Sequence, residues 1–214
     1  MKKFVIFDFD GTLLDTLKGL TNASNLLMEK FNYPYRYSYD EVKEFIGDGA
    51  RKLFLRLTHR SDFDEELEKQ YQEFLKYYEE TQYISPPFKG VIKTLKKLNK
   101  DGIKIIIYSN KPNDILNKIV NASLKDIKIL KTQGFVEGYK VKPDVTLLNR
   151  ILKENNLSPY EGLYAGDSYT DYLTAMNLHM DMIFLTYGYC HKEDQDKFSC
   201  IKLNNFQDIL NYIK

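Results

Sequence analysis

The sequence predicts an α/β protein: a doubly wound, mostly parallel core with an all-helical segment inserted after its first strand. Three observations carry this expectation. A short apolar run at 3–7 ends abruptly in Asp8-Phe9-Asp10-Gly11-Thr12, as a buried strand does at a glycine turn. Residues 15–83 then show helical periodicity without a convincing strand, and Ser85-Pro86-Pro87 closes that stretch, because proline removes a backbone donor and turns the preceding residue away from helix. Beyond the prolines, helix and strand patterns alternate to the end of the chain, which implies parallel strands covered on both faces. The expected division is a core of residues 1–14 and 84–214 and a helical domain of residues 15–83.

Each element follows from its local pattern. The strand at 3–7 is rich in aromatic and β-branched residues. From 15 to 31, Leu20, Leu27 and Phe31 fall at helical spacing with Asn and Lys between them. Short helices are expected at 39–45 and 50–57, either side of Gly47-Asp48-Gly49, and a longer one rich in Glu, Lys and Tyr at 64–80. After the prolines come a helix at 90–100, a turn at Asp101-Gly102 and a strand at 103–108. A helix at 113–122, a weaker strand at 127–130 and a helix at 144–155 follow, the last opened by Pro143 where a first-turn proline fits. A strand at 163–165, a helix at 169–177, a strand at 182–185 and a helix at 205–213 complete the chain.

Composition narrows the functional classes. At 214 residues there is room for one core with a modest insertion, not for two large domains. Hydrophobic residues at 43% and charged residues at 29% exclude a disordered or fibrous chain. Lys+Arg 31 against Asp+Glu 30 leaves a formal charge of +1, which argues against nucleic acid or an anionic membrane as partner. The first apolar run is too short for a signal peptide or a spanning helix, and Cys190 and Cys200 are the only cysteines, so a cytoplasmic location is expected.

In an open parallel sheet, ligands bind beyond the carboxyl ends of the strands. That rule picks out Asp8 and Asp10 after the first strand, Ser109 and Asn110 after the second, and Asp167 and Asp171 after the strand at 163–165, with Lys142 the nearby cation. Carboxylates gathered so closely repel unless a cation neutralises them, and a hard divalent ion is the usual solution. Mg²⁺ is the first candidate, since it binds through a few carboxylates plus substrate phosphate, an arrangement suited to phosphoryl transfer. One Asp can then act as nucleophile while another protonates the leaving oxygen; Asp8 and Asp10, two positions apart, lean to the same side of an extended segment. Phosphate-monoester hydrolysis demands up to about 10²¹-fold acceleration, about 29 kcal/mol, whereas one donor to an oxyanion contributes about 3–4 kcal/mol. A covalent step, a metal, Lys142 and donors from Ser109 and Asn110 must therefore act together.

Four segments stand in order: Asp8-Phe9-Asp10-Gly11-Thr12, Ser109-Asn110-Lys111-Pro112, Lys142-Pro143 and Gly166-Asp167-Ser168-Tyr169-Thr170-Asp171. Through them the whole chain resembles the haloacid dehalogenase-like hydrolase superfamily, in particular phosphatases with a Rossmann-like core and a helical cap inserted after the first strand. The resemblance implies that Asp8 is the nucleophile and Asp10 the general acid/base. It implies Mg²⁺ held by the Asp8 and Asp167 carboxylates and the Asp10 carbonyl, with Asp171 binding the metal or orienting its shell. Ser109 and Asn110 would bind the phosphoryl group, Thr12 would join the substrate-binding set, and Lys142 would neutralise charge. Family dehalogenases lack an acid at the position of Asp10, so a phosphatase or phosphomutase is favoured. Phe45-Ile46-Gly47-Asp48-Gly49-Ala50 and Thr186-Tyr187-Gly188-Tyr189 look most like the phosphoglycolate phosphatases. A β-phosphoglucomutase-like mutase, which usually carries a cap His where this chain has Leu17-Lys18-Gly19-Leu20, is the alternative, as is a pyrophosphatase or nucleotidase of the same superfamily. Outside catalysis the alternative is a phosphate-binding scaffold. The expected partner is a small phosphorylated metabolite, and the expected state a monomer or homodimer. The third segment reads Lys-Pro-Asp-Val where Lys-Pro-x-Pro is commoner, which leaves its Lys intact.

Other features have two readings. Gly47-Asp48-Gly49 is a substrate contact or a plain turn between helices, and Arg51 grips a substrate carboxylate or stays in solvent. His59, His179 and His191 lack metal-ligand spacing and read as surface or packing residues, and Cys190, His191 and Cys200 lack the paired motif of a zinc site. Tyr33, Tyr35, Tyr37 and Tyr39 alternate and read as packing rather than a stacking platform for bases.

Overall fold

The structure is a computed structural model that describes residues 2–82 and 85–213. Its sheet contains β1 (Phe4–Phe7), β2 (Lys104–Pro112), β3 (Lys131–Phe135), β4 (Gly162–Gly166), β5 (Asp181–Leu185) and β6 (Ile201–Leu203). They lie in the order β3-β2-β1-β4-β5-β6, and every neighbouring pair is parallel. β1 explains the central position of the first apolar run: Phe4, Val5, Ile6 and Phe7 are all 0% exposed. Alternate side chains enter opposite layers, Val5 and Phe7 one hydrophobic cluster and Phe4 and Ile6 the other. A strand buried on both faces needs no polar alternation, hence its continuous apolar sequence.

Between β1 and β2 come α1 (Leu17–Lys30), α2 (Tyr39–Phe45), α3 (Ala50–Thr58), α4 (Glu65–Gln82) and α5 (Val91–Lys100); the first four form the helical insertion. α1 buries Leu20, Ala23, Leu27 and Met28, and α4 buries Leu67, Tyr71, Phe74 and Tyr78. The two helices approach closely at Gly19, where a Cβ would fall 2.5 Å from the Gln82 amide. A capping box between Ser38 and Glu41 starts α2. Tyr37 is buried and its hydroxyl donates to the Leu57 carbonyl at 2.6 Å, while Tyr33 donates to Gln70 at 2.7 Å; these two pack as the sequence suggested, whereas Tyr35 and Tyr39 are exposed.

The chain leaves and re-enters the sheet region through two adjacent crossings. Asp15 N donates to the Pro86 carbonyl at 2.9 Å and Phe88 N to the Leu13 carbonyl at 3.0 Å, and Leu14 bridges Pro87 in antiparallel fashion. The expected boundary at 83/84 lies outside the described residues.

The remaining helices are α6 (Asn113–Ser123), α7 (Thr146–Glu154), α8 (Tyr169–Asn177) and α9 (Lys192–Gln195). Several expected elements shift. The strand placed at 127–130 is β3, at Lys131–Phe135; it pairs only with β2, and an edge strand tolerates the polar Lys-Thr-Gln that hid it. Pro143 does not open α7, which starts at Thr146; it follows Lys142 through a cis peptide bond. The final segment, Phe206–Tyr212, is a 3-10 helix, in keeping with buried Phe206 and Ile209 three residues apart. β6 and α9 were not expected, being too short for a period to show. No helix of the described residues is long and apolar enough to cross a membrane.

Candidate active site

Strand order reverses at the β1/β4 pair, so the loops after these strands diverge and leave a crevice. A cavity of about 230 Å³ occupies it, lined by Asp8, Asp10, Ser109, Asn110, Lys142 and Asp167 from the sheet side and by Ile46, Gly47, Gly49 and Leu53 from the insertion. Asp8 directly follows β1, its N–H bonded to the Ala165 carbonyl at 2.9 Å, and Asp167 follows β4.

Lys142 organises the acids. Its ammonium donates to Asp8 Oδ1 and Asp171 Oδ1, each at 2.7 Å, with only 3% of its side chain exposed. Asp167 accepts from the Thr12 hydroxyl at 2.7 Å and from the Tyr189 N–H at 2.7 Å. Asp171 accepts further bonds from the Tyr164 hydroxyl at 3.0 Å and the Ser168 hydroxyl at 2.6 Å, in a capping box that starts α8. The chain must also come close: at Gly11, φ is +81° and a Cβ would fall 2.3 Å from Asp167 Oδ2, so a side chain there is strained twice over.

Burial and then the Asp171 charge push the Asp8 carboxyl well above the usual carboxylate range, against the pull of Lys142. Burial and Asp171 likewise raise Asp167 to about 7. Burial lowers Lys142, but the Asp171 and Asp8 charges outweigh it and hold the ammonium above an ordinary lysine, so it stays charged. Three carboxylates against one ammonium leave two negative charges uncompensated when all are ionised, which is what one divalent cation neutralises. The donor chemistry fits such an ion: Asp8, Asp167 and Asp171 are buried and offer oxygens all within 4.8 Å of one another.

A second ion pair serves Asp10. Lys111 Nζ donates to Asp10 Oδ1 at 2.8 Å, to the Tyr78 hydroxyl at 2.8 Å and to Gln82 Oε1 at 3.4 Å, so β2 and α4 meet on one buried ammonium. Burial lowers the Lys111 ammonium, and Asp10 opposes that shift.

Residues 5–185 match the family model described as haloacid dehalogenase-like hydrolase. The chain belongs to that family. Curated relatives of this hydrolase include phosphoglycolate phosphatase 1 of Pseudomonas aeruginosa, 29% identical over 98% of the chain and 79% of the relative. The phosphoglycolate phosphatase of Vibrio cholerae is 33% identical over 89% of the chain and 87% of its own length. Among solved structures, one described as a predicted phosphoglycolate phosphatase from Haemophilus somnus superposes with a TM-score of 0.89 at 27% identity, covering 100% of this chain and 98% of that one.

The structure brings Asp8, Asp10, Ser109, Asn110, Lys142, Asp167 and Gly47 of this hydrolase to one cavity. It uses Asn110 to tie parts together: Oδ1 accepts from the Lys142 N–H at 2.7 Å and Nδ2 donates to the Gly47 carbonyl at 2.9 Å. Thr12 is 0% exposed and spends its hydroxyl on Asp167, so it stands behind the acid rather than at the cavity wall. Asp171 lies with the other acids but behind Lys142. Arg51 lies away from the cavity lining, paired with Glu68 at 2.7 Å and stacked 3.9 Å from the Phe63 ring centroid. His191, expected as a surface or packing residue, lines the cavity and meets Glu44 of the insertion at 2.6 Å. The sequence segments named Lys111 and Tyr189 without giving either a role, and Tyr78 was passed over. The available signal for Lys111 was its place directly after Ser109-Asn110, at the buried end of β2.

Proposed function

We propose that the chain is a Mg²⁺-dependent phosphomonoesterase that hydrolyses a small phosphorylated metabolite through phosphorylation of Asp8, with 2-phosphoglycolate the leading substrate. The observation that carries this reading is that Asp8, Lys142 and Asp10 line one cavity, with the Lys142 ammonium 2.7 Å from Asp8 and, behind it, 2.7 Å from buried Asp171. A carboxylate held by a fixed ammonium is an oriented nucleophile rather than a solvated acid. Asp8 attacks phosphorus and the ester P–O bond breaks, while Asp10 gives its proton to the departing oxygen. Asp10, now a carboxylate, takes a proton from water as that water attacks the phosphoryl group, and the P–O bond to Asp8 breaks to release phosphate. Lys142 offsets the negative charge that gathers around Asp8, and Ser109 offers a donor at the wall of the cavity. When held by Asp8, Asp167 and the Asp10 carbonyl, with Asp171 beside them, Mg²⁺ supplies positive charge to the phosphoryl oxygens.

The small cavity suits a short-chain ester better than a nucleotide, and the names of the relatives favour 2-phosphoglycolate. Residues 15–83 act in this reading as a cap that excludes water, moving about the paired crossings at Leu14 and Pro87. All the groups named come from one chain, which suits a monomer or a homodimer, and the free thiols Cys190 and Cys200 suit a reducing cytoplasm.

The test is phosphate release with Mg²⁺ from a panel of small esters, including 2-phosphoglycolate, by the wild type and Asp8→Asn. The reading predicts preference for 2-phosphoglycolate and no release by the variant. Release that survives in Asp8→Asn contradicts the covalent mechanism, and broad release without preference removes the substrate assignment.

A further inference from the structure

The Lys111 side chain is 0% exposed, and burial of an ammonium is a heavy penalty that a neutral residue of the same shape avoids. Its three donors are all taken, by Asp10 Oδ1, the Tyr78 hydroxyl and Gln82 Oε1, so none remains to grip a phosphate. Two of those partners belong to α4 of the insertion, and the third is the acid that faces the cavity. Among the described residues, Asp10 Oδ2 has no hydrogen-bond partner.

Resting on the reading of Asp10 as the general acid, we propose that Lys111 is a positioning residue: seated between Tyr78 and Gln82, its ammonium holds Asp10 Oδ1 so that Oδ2 serves the leaving-group oxygen. The insertion thereby takes part in proton delivery without touching the ester. When α4 is in place, Tyr78 and Gln82 fix the ammonium, and the ammonium fixes the rotamer of Asp10. When α4 is displaced, Asp10 loses its anchor. Proton donation is thus tied to the seating of the insertion over the cavity.

The distinguishing readout is leaving-group dependence, because a p-nitrophenolate departs with little help from an acid whereas an alkoxide needs a proton. The measurement compares kcat/KM for p-nitrophenyl phosphate and 2-phosphoglycolate in the wild type, Lys111→Met, Lys111→Arg and Tyr78→Phe, each also in an Asp10→Asn background. Lys111→Met is expected to lose about 10- to 100-fold more on the alkyl ester than on the aryl ester, part of the roughly 10²- to 10⁴-fold that a general acid contributes. Tyr78→Phe is expected to lose less in the same direction, Lys111→Arg to recover part of the loss, and both losses to vanish when Asp10 is already Asn. If Lys111→Met does not fold, as judged by circular dichroism, Tyr78→Phe carries the same comparison. Equal loss on both esters, or an undiminished loss in the Asp10→Asn background, overturns this inference and leaves the phosphatase reading standing. Absence of Asp8-dependent release from either ester by the wild type overturns both.

Discussion

Asp8 and Asp10 are two residues apart, yet each has its own buried ammonium: Lys142 from a loop for Asp8 and Lys111 from β2 for Asp10. The acids were legible in the sequence because they fall just after apolar runs, and a carboxylate beyond a parallel strand has few structural reasons to be there. Lys111 and Tyr189 were not, since their importance lies in contacts 101 and 22 residues away along the chain, to Asp10 and Asp167. Thr12, expected among the substrate-binding residues, is buried and gives its hydroxyl to Asp167. Burial and Asp171 raise Asp167 to about 7 from the ordinary Asp value, so without metal the folded state binds this proton more tightly than the unfolded chain. Its contribution to stability is therefore greatest at low pH and falls away as pH rises from about 4 toward 7. In EDTA, the Tm of the wild type should lose ground relative to Asp167→Asn between these limits, and Mg²⁺ should restore it above pH 7. Parallel Tm profiles for the two proteins would show that Asp167 is not held in this way.

Among the elements, those with a strong apolar period were predicted with close boundaries, and α8 was placed at its observed limits. The misplaced β3 and the unforeseen β6 are the two edge strands, one of polar composition and the other only three residues long, where pairing rather than side-chain pattern decides the structure. The start of α1 depends on a distant residue in the same way. The Tyr189 hydroxyl accepts from the N–H groups of Thr16 at 2.7 Å and Leu17 at 3.0 Å, and donates to Asp15 at 3.0 Å. Thr16, the residue before the helix, makes no side-chain cap of its own. Tyr189→Phe therefore strands buried donors at the entry to the insertion, and a loss of about 1–3 kcal/mol in urea-unfolding stability is expected. A change within about 0.5 kcal/mol, the scale of an ordinary surface substitution, would mean that water takes over the role of the hydroxyl.

For the molecule as a whole, the sequence revealed the order of layers because helix and strand alternate after the prolines, and it expected only helices between the first strand and those prolines, where α1 to α4 lie. It did not reveal how the insertion meets the sheet. That relation rests on Asn110 bonded to Gly47, Lys111 bonded to Tyr78 and Gln82, and His191 bonded to Glu44, pairs separated by 63, 33, 29 and 147 positions. In the proposed function a small ester is enclosed at this junction beside Asp8, and Asp8 itself carries the phosphoryl group during turnover. The most direct measurement is rapid acid quench of the enzyme with Mg²⁺ and 2-phosphoglycolate, followed by mass spectrometry of the peptide that contains Asp8. The expected result is a phosphoryl adduct on Asp8 that appears faster than steady-state turnover, persists longer in Asp10→Asn and is absent in Asp8→Asn. Turnover at the wild-type rate with no adduct on Asp8 at any quench time, or an adduct on another residue, would contradict it.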